Sequence, residues 1–163
     1  MVSVDTIQAR TVFAWFMLIL VLRRVVLITI LAISGRGRPL PAGRVPEDRV
    51  LKGGRVAGPV IDGTPIVAVT TDVRANKVIG NDAENDTYFL ILLLATAVFS
   101  DRVNGDCVRT IVYGCIYLFI RIFYAIAYIL GLQPWRTILF FLGICCTIAC
   151  NLDLVITMSR RIN

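Results

Sequence analysis

Three groups of residues in this chain have types and spacing suited to chemistry. Arg74, Lys77, Asn81, Glu84 and Tyr88 follow at intervals of three, four, three and four, which on a helix places them along one face. Tyr113, Tyr117, Arg121, Tyr124 and Tyr128, at intervals of four, four, three and four, line one side of a second helix with one guanidinium and four phenols. Facing one another, such stripes form a wall able to grip a small anion. The plainer alternative for the first stripe is a solvated helix end, and for Arg121 a structural ion pair with Glu84, Asp82 or Asp86. The third group is the turn Gly131-Leu-Gln-Pro-Trp-Arg136-Thr137. It puts a guanidinium and a hydroxyl at the start of a helix, where the dipole favours an anion. An arginine at such a start can equally contact a lipid headgroup.

The composition excludes much else. Of 163 residues, 57% are hydrophobic and 17% charged, with no histidine, and the mean hydropathy is +0.77. That is too apolar for a soluble enzyme core or a disordered chain, and the missing histidines remove histidine-based triads and most catalytic zinc sites. No metal is expected. The net charge of +6 comes from 17 bases against 11 acids. Fifteen of those bases are arginine, suited to bidentate grip of carboxylates and phosphates. No nucleic-acid-binding motif accompanies the charge, so no nucleic-acid partner is expected. The five cysteines, Cys107, Cys115, Cys145, Cys146 and Cys150, have no zinc-type spacing and read as buried free thiols.

The elements that must position these groups are membrane helices. Apolar runs predict helices at about 11–34, 71–100, 107–132 and 135–158, a single domain, residues 1–163, forming an all-α four-transmembrane-helix bundle. The second run is strongly apolar only from about Thr87, so its polar first half is expected to extend out of the bilayer. Arg23 and Arg24 fall in the middle of the first run. A mid-membrane arginine needs a partner or a polar interior, so at least one of them should point inward. The loop 35–70 holds five of the six prolines and seven of the twelve glycines and resists regular structure. Within it, Pro65–Thr71 is a β-prone run too isolated to make a sheet. Nine bases lie in this loop, on the adjoining start of helix two and at Arg136, against five at the other end. The loop and the 131–134 turn are therefore expected on the cytosolic side.

The order of these residues resembles a known family. It runs from Arg23-Arg24 through Pro46-Glu47-Asp48 to Arg74-x-x-Lys77-x-x-x-Asn81-Asp82-x-Glu84-Asn85. It continues with Arg121-x-x-Tyr124-x-x-Ala127-Tyr128 and Gln133-Pro-x-Arg136. This resembles the MAPEG family, the membrane-associated proteins in eicosanoid and glutathione metabolism, and most of all its microsomal glutathione transferase and prostaglandin E synthase branch. The similarity runs from about Ala14 to Met158. It departs from the family at Ile79 and Tyr124, where histidines are common, and at Gly80, where a basic residue is.

The resemblance implies a homotrimer with glutathione bound as cosubstrate between neighbouring subunits, and a lipophilic electrophile or lipid hydroperoxide entering from the membrane lipid. Carried over by position, the glutathione-binding residues are Arg36, Arg74, Lys77, Asn81, Glu84, Arg121, Tyr124 and Tyr128. The catalytic ones are Arg136, Thr137 and Tyr128. The implied location is the endoplasmic reticulum (microsomal) or the outer mitochondrial membrane, multi-pass, with the site facing the cytosol. The chemistry is consistent with the residues: glutathione has two carboxylates, an ammonium and a thiol, and the stripes offer guanidinium groups, a carboxylate and phenols. Its thiolate is the nucleophile, and a cation that lowers the thiol pKa by one or two units raises the ionised fraction roughly ten- to hundredfold. Arg136 is the expected cation, with a hydroxyl hydrogen bond from Thr137. The expected function is glutathione transfer to lipophilic electrophiles, with peroxidase activity on lipid hydroperoxides as a second activity. The alternatives are a non-enzymatic lipid-binding scaffold of the lipoxygenase-activating type, and an unrelated four-helix channel.

Overall fold

The computed structural model describes residues 8–36, 60–61, 64–65, 71–101 and 107–160. Four long helices run up and down: α1 (Ala9–Ser34), α2 (Thr71–Ala95), α3 (Val108–Leu130) and α4 (Trp135–Arg160). At about 1.5 Å per residue, the 26 residues of α1 or α4 exceed a hydrocarbon layer of roughly 30 Å. By length and composition α1, α3 and α4 can each cross a membrane. The fourth element, α2, falls short because its first two-thirds carry Asp72, Arg74, Lys77, Asp82, Glu84 and Asp86. It still runs the length of the bundle, because a π-helical turn at Thr96–Asp101 prolongs it.

α2 and α3 occupy the middle. α1 packs chiefly on α2, α4 chiefly on α3, and α2 and α3 on each other. Most large apolar side chains of α1 and α4, such as Trp15, Val21, Leu22, Val26, Leu142, Ile148 and Val155, are exposed. In lipid this is the stable arrangement, since no water drives those faces together. What packs inside is small or flat. Phe89 of α2 stacks on Tyr117 of α3, with ring centroids 3.7 Å apart and planes at 6°. Phe16 of α1 lies over Gly114, where an added Cβ would come within 2.5 Å of the ring. Nearer the α3–α4 turn the core is Leu27, Val78, Tyr124 and Ala125.

The two ends are built differently. At the far end, Asp101 Oδ2 accepts from the backbone N–H of Thr110 at 2.8 Å and from its hydroxyl at 2.6 Å, capping the first turn of α3. Arg109 then ties α3 to Ser100 at 2.9 Å, to Thr157 at 2.5 Å and to Asp153 at 3.6 Å. At the near end, α3 stops at Gly131, whose φ of 73° is left-handed. The Leu132 N–H reaches back to the Ala127 carbonyl at 2.8 Å, the closing bond of a glycine helix cap.

Two expectations need correcting. The run expected to be too isolated for a sheet does pair at its first residue: Val60–Ile61 and Thr64–Pro65 form two antiparallel strands, while 66–70 lie outside the described residues. The sequence between them, Asp62-Gly63, is a dipeptide favoured in two-residue hairpin turns. The cysteines are all free, but only Cys107, Cys146 and Cys150 are buried. Cys115 and Cys145 lie off the inward stripes of α3 and α4 and are exposed. Pro46-Glu47-Asp48 and most of loop 35–70 lie outside the described residues.

Candidate functional site

In the middle of the bundle, where α1, α2 and α3 meet, four charged side chains form one cluster. Arg23 of α1 points inward, and its Nη2 bridges Asp82 Oδ2 at 2.9 Å and Asp86 Oδ2 at 2.5 Å. On the other side of the two aspartates stands Arg121 of α3. It is paired with Asp82 Oδ1 and, through Nε at 3.3 Å, with Asp86 Oδ1. Arg121 Nη2 also donates to Asn81 Oδ1 at 3.0 Å, and the Tyr117 hydroxyl donates to Asp86 Oδ1 at 2.9 Å. Two cations face two carboxylates, so the cluster is neutral. That balance is what allows Arg121 to be 1% exposed and Asp82 3% exposed in surroundings where an unpaired charge would cost several kcal/mol.

From Arg121 the contacts continue toward the near end as alternating cations and rings. The Arg121 guanidinium lies over the Tyr124 ring, 4.9 Å from its centre. Tyr124 meets Tyr128 edge-on at 5.7 Å, and Arg136 of α4 lies over the Tyr128 ring at 4.7 Å. Arg136 is half-buried. With its amide oxygen turned toward Arg136, Gln133 accepts from Nε at 3.2 Å. The Thr137 hydroxyl lies 3.3 Å from the same amide. The start of α4 contributes its dipole but few open donors: the N–H groups of Arg136, Thr137 and Ile138 already bond to the carbonyls of Leu132, Pro134 and Pro134. An anion here would therefore be held by side chains. Beside this turn, Arg74 donates to the Ile129 carbonyl at 3.2 Å, placing a cation on the carboxyl end of α3.

The MAPEG family model matches residues 70–155 of the 163, which takes in α2, α3, the α3–α4 turn and most of α4. The chain belongs to the MAPEG family. It is accordingly a membrane protein, and its four helices form the membrane bundle of that family. No curated protein and no solved structure matches it. MAPEG proteins include glutathione transferases and related enzymes as well as non-enzymatic members.

Within this MAPEG chain the sequence-predicted residues separate into two sets. Arg121, Asn81, Tyr124, Tyr128, Arg136 and Thr137 come together along the α2–α3–α4 seam, with Arg74 beside them. Arg36, Lys77, Glu84 and Tyr88 do not join them: each is exposed, Tyr88 to 70%, and Lys77 and Glu84 make no ion pair among the described residues. The first stripe therefore divides: Lys77, Glu84 and Tyr88 look outward, while Arg74 and Asn81 at its edge reach α3. The inward face of α2 is Asp72, Ala75, Val78, Asp82, Phe89 and Leu93. Of the three acids offered as partners for Arg121, the structure selects Asp82 and Asp86. Glu84 sits on the opposite side, because two residues along a helix turn the side chain by about 200°.

Sequence reasoning gave no role in the site to Arg23, Asp82 and Asp86 together, although the two aspartates hold Arg121 and Arg23 in turn holds the aspartates. The available signal was the i, i+4 pair Asp82/Asp86 aligned with two membrane-embedded arginines. Arg24, the other half of the mid-helix pair, is exposed on α1.

Proposed function

We propose that this protein is a membrane glutathione transferase that binds glutathione at the near end of its bundle and activates it as the thiolate. The observation that carries the reading is the Arg136 guanidinium held over Tyr128 at 4.7 Å at the start of α4, in a chain of the MAPEG family. A half-buried cation at a helix start lowers the pKa of a thiol placed against it, because the thiolate gains the charge interaction and the thiol does not. The proton leaves to solvent, so no histidine is needed. The thiolate then attacks the electrophilic carbon of a lipophilic substrate arriving from the bilayer, forming the carbon–sulfur bond. A leaving group departs with its electron pair or, at an activated double bond, the π pair shifts onto the neighbouring carbon and takes a proton from solvent. On a lipid hydroperoxide the thiolate attacks the terminal oxygen, the O–O bond breaks and the lipid alcohol leaves after taking a proton. A second glutathione converts the resulting sulfenic acid into glutathione disulfide and water.

The peptide part of glutathione is held by the groups around this cation. Asn81 and Tyr124 lie on the inner side, Arg74 lies at the end of α3, and the exposed Lys77, Glu84 and Arg36 look outward. Those three face away from the protomer's own bundle, which supports a site completed between copies in a homotrimer, with the near end in the cytosol of a microsomal or outer mitochondrial membrane.

The test is the ultraviolet absorption of the thiolate on titrating the detergent-solubilised protein with glutathione. A saturable signal is expected for the wild type, and Arg136→Ala should lower it about tenfold or more while the protein stays folded by circular dichroism. Saturable binding without thiolate would replace the transferase reading with that of a lipid-binding scaffold, and no binding would remove glutathione from the site.

A further inference from the structure

The buried cluster uses its two arginines unequally. Arg121 donates through Nη2 to Asn81 and Asp82, lies in ion-pair range of Asp86 through Nε without a hydrogen bond there, and sets its guanidinium over the Tyr124 ring. Arg23 does all its pairing through a single nitrogen. Nη2 alone reaches both Asp82 and Asp86, while Nε and Nη1 are buried and without a hydrogen-bond partner among the described residues. The side chain of Arg23 is 9% exposed, so those two N–H groups have lost water and gained nothing in return. A single bridging nitrogen is what a lysine ammonium supplies: a compact cation with rotatable donors. Arg121 differs in presenting a second nitrogen to Asp86 and a flat face to the Tyr124 ring, which an ammonium does not supply.

Resting on the glutathione reading above, we propose that Arg23 is a positioning residue for the glutathione site, that it acts through Asp82 and Asp86 on Arg121, and that it acts as a point charge. Take its charge away and one guanidinium remains for two buried carboxylates. Arg121 is then drawn fully onto the aspartates, and the bond that Nη2 gives to Asn81 Oδ1 is the weakest of its ties. Losing it releases Asn81 and shifts the cation off Tyr124, the two inner residues assigned to the peptide part of glutathione. Arg136 and Tyr128, a further ring away, keep their geometry. The effect should therefore fall on how tightly glutathione is held and much less on how far its thiol is ionised once bound.

The experiment titrates glutathione into the full-length protein in detergent and reads two quantities from the thiolate absorption: the Kd and the amplitude at saturation. Arg23→Gln should raise Kd about tenfold, the worth of one charge-assisted hydrogen bond, and leave the saturating amplitude within about twofold. Partial unfolding would do the reverse, reducing the number of sites and their amplitude without moving Kd. Arg23→Lys should keep the wild-type Kd within about twofold, whereas Arg121→Lys should raise it about tenfold or more. The double variant Arg23→Gln/Asp86→Asn removes one charge of each sign and keeps an oxygen for the Tyr117 hydroxyl. It should recover most of the affinity, and it carries the test if Arg23→Gln alone does not fold.

A wild-type Kd for Arg23→Gln, or equal losses for Arg23→Lys and Arg23→Gln, would overturn the proposal. If the wild type itself gives no glutathione signal, the functional reading fails, and thermal unfolding still reads the bridge. Arg23→Lys should then melt at or above the wild type because two buried unpaired N–H groups are gone, with Arg121→Lys below it. The opposite order would overturn the single-nitrogen bridge.

Discussion

At the scale of a residue, the question is what Tyr128 contributes beside Arg136. Its ring lies under the guanidinium at 4.7 Å, and its hydroxyl makes no hydrogen bond among the described residues. A ring under a half-buried guanidinium holds the cation in place at about 0.5–2 kcal/mol. Phenylalanine supplies the same face. Tyr128→Phe should accordingly retain more than half of the thiolate amplitude, whereas Tyr128→Leu should lose a large part of it because the guanidinium is no longer held. Equal loss in both would move the role from the ring to the hydroxyl, as a donor to sulfur. A phenol can stack or hydrogen-bond, and residue type alone does not choose between the two. Spacing places the phenol on the correct side of α3 but cannot say which atoms of α4 arrive above it.

At the scale of an element, the near end depends on how α3 stops. Gly131 has a φ of 73°, and a Cβ there would lie 2.5 Å from Arg74 Nη1. Arg74 is the long side chain that reaches from α2 to the Ile129 carbonyl. Gly131→Ala should therefore act twice, through the left-handed backbone and by displacing Arg74, at a combined cost of about 1–2 kcal/mol. It should appear as a lower unfolding midpoint together with weaker glutathione binding. A fall in stability alone would mean that Arg74 caps the helix without serving the site. The helices α1, α3 and α4 were legible because their apolar runs are long enough to span a bilayer. What sequence could not give was the inward side of α2. Its polar residues surround much of the helix, and only the arginines at Arg23 and Arg121, brought in from α1 and α3, decide that Asp82 and Asp86 turn in and Glu84 turns out.

At the scale of the whole molecule, the residues left facing outward matter most. A single protomer gathers Arg121, Asn81, Tyr124, Tyr128 and Arg136 but leaves Arg36, Lys77 and Glu84 exposed, and the periodicity that aligned Lys77 and Glu84 with Asn81 carried no information about which molecule they would meet. If glutathione lies between neighbouring copies, with Arg36 from one and Arg136 from the next, then two inactive variants can repair each other. Arg36→Ala and Arg136→Ala should each give little thiolate signal alone. Dissociated, mixed in equal amounts and reassembled, the copies distribute at random around a cyclic oligomer. An interface is intact when one copy retains Arg136 and its neighbour retains Arg36, each with a chance of one half, so about one quarter of the wild-type amplitude should return. The recovered sites should have the wild-type Kd, because each contains a full set of residues. A site contained within one protomer gives no recovery at all, since every copy in the mixture lacks one of the two arginines.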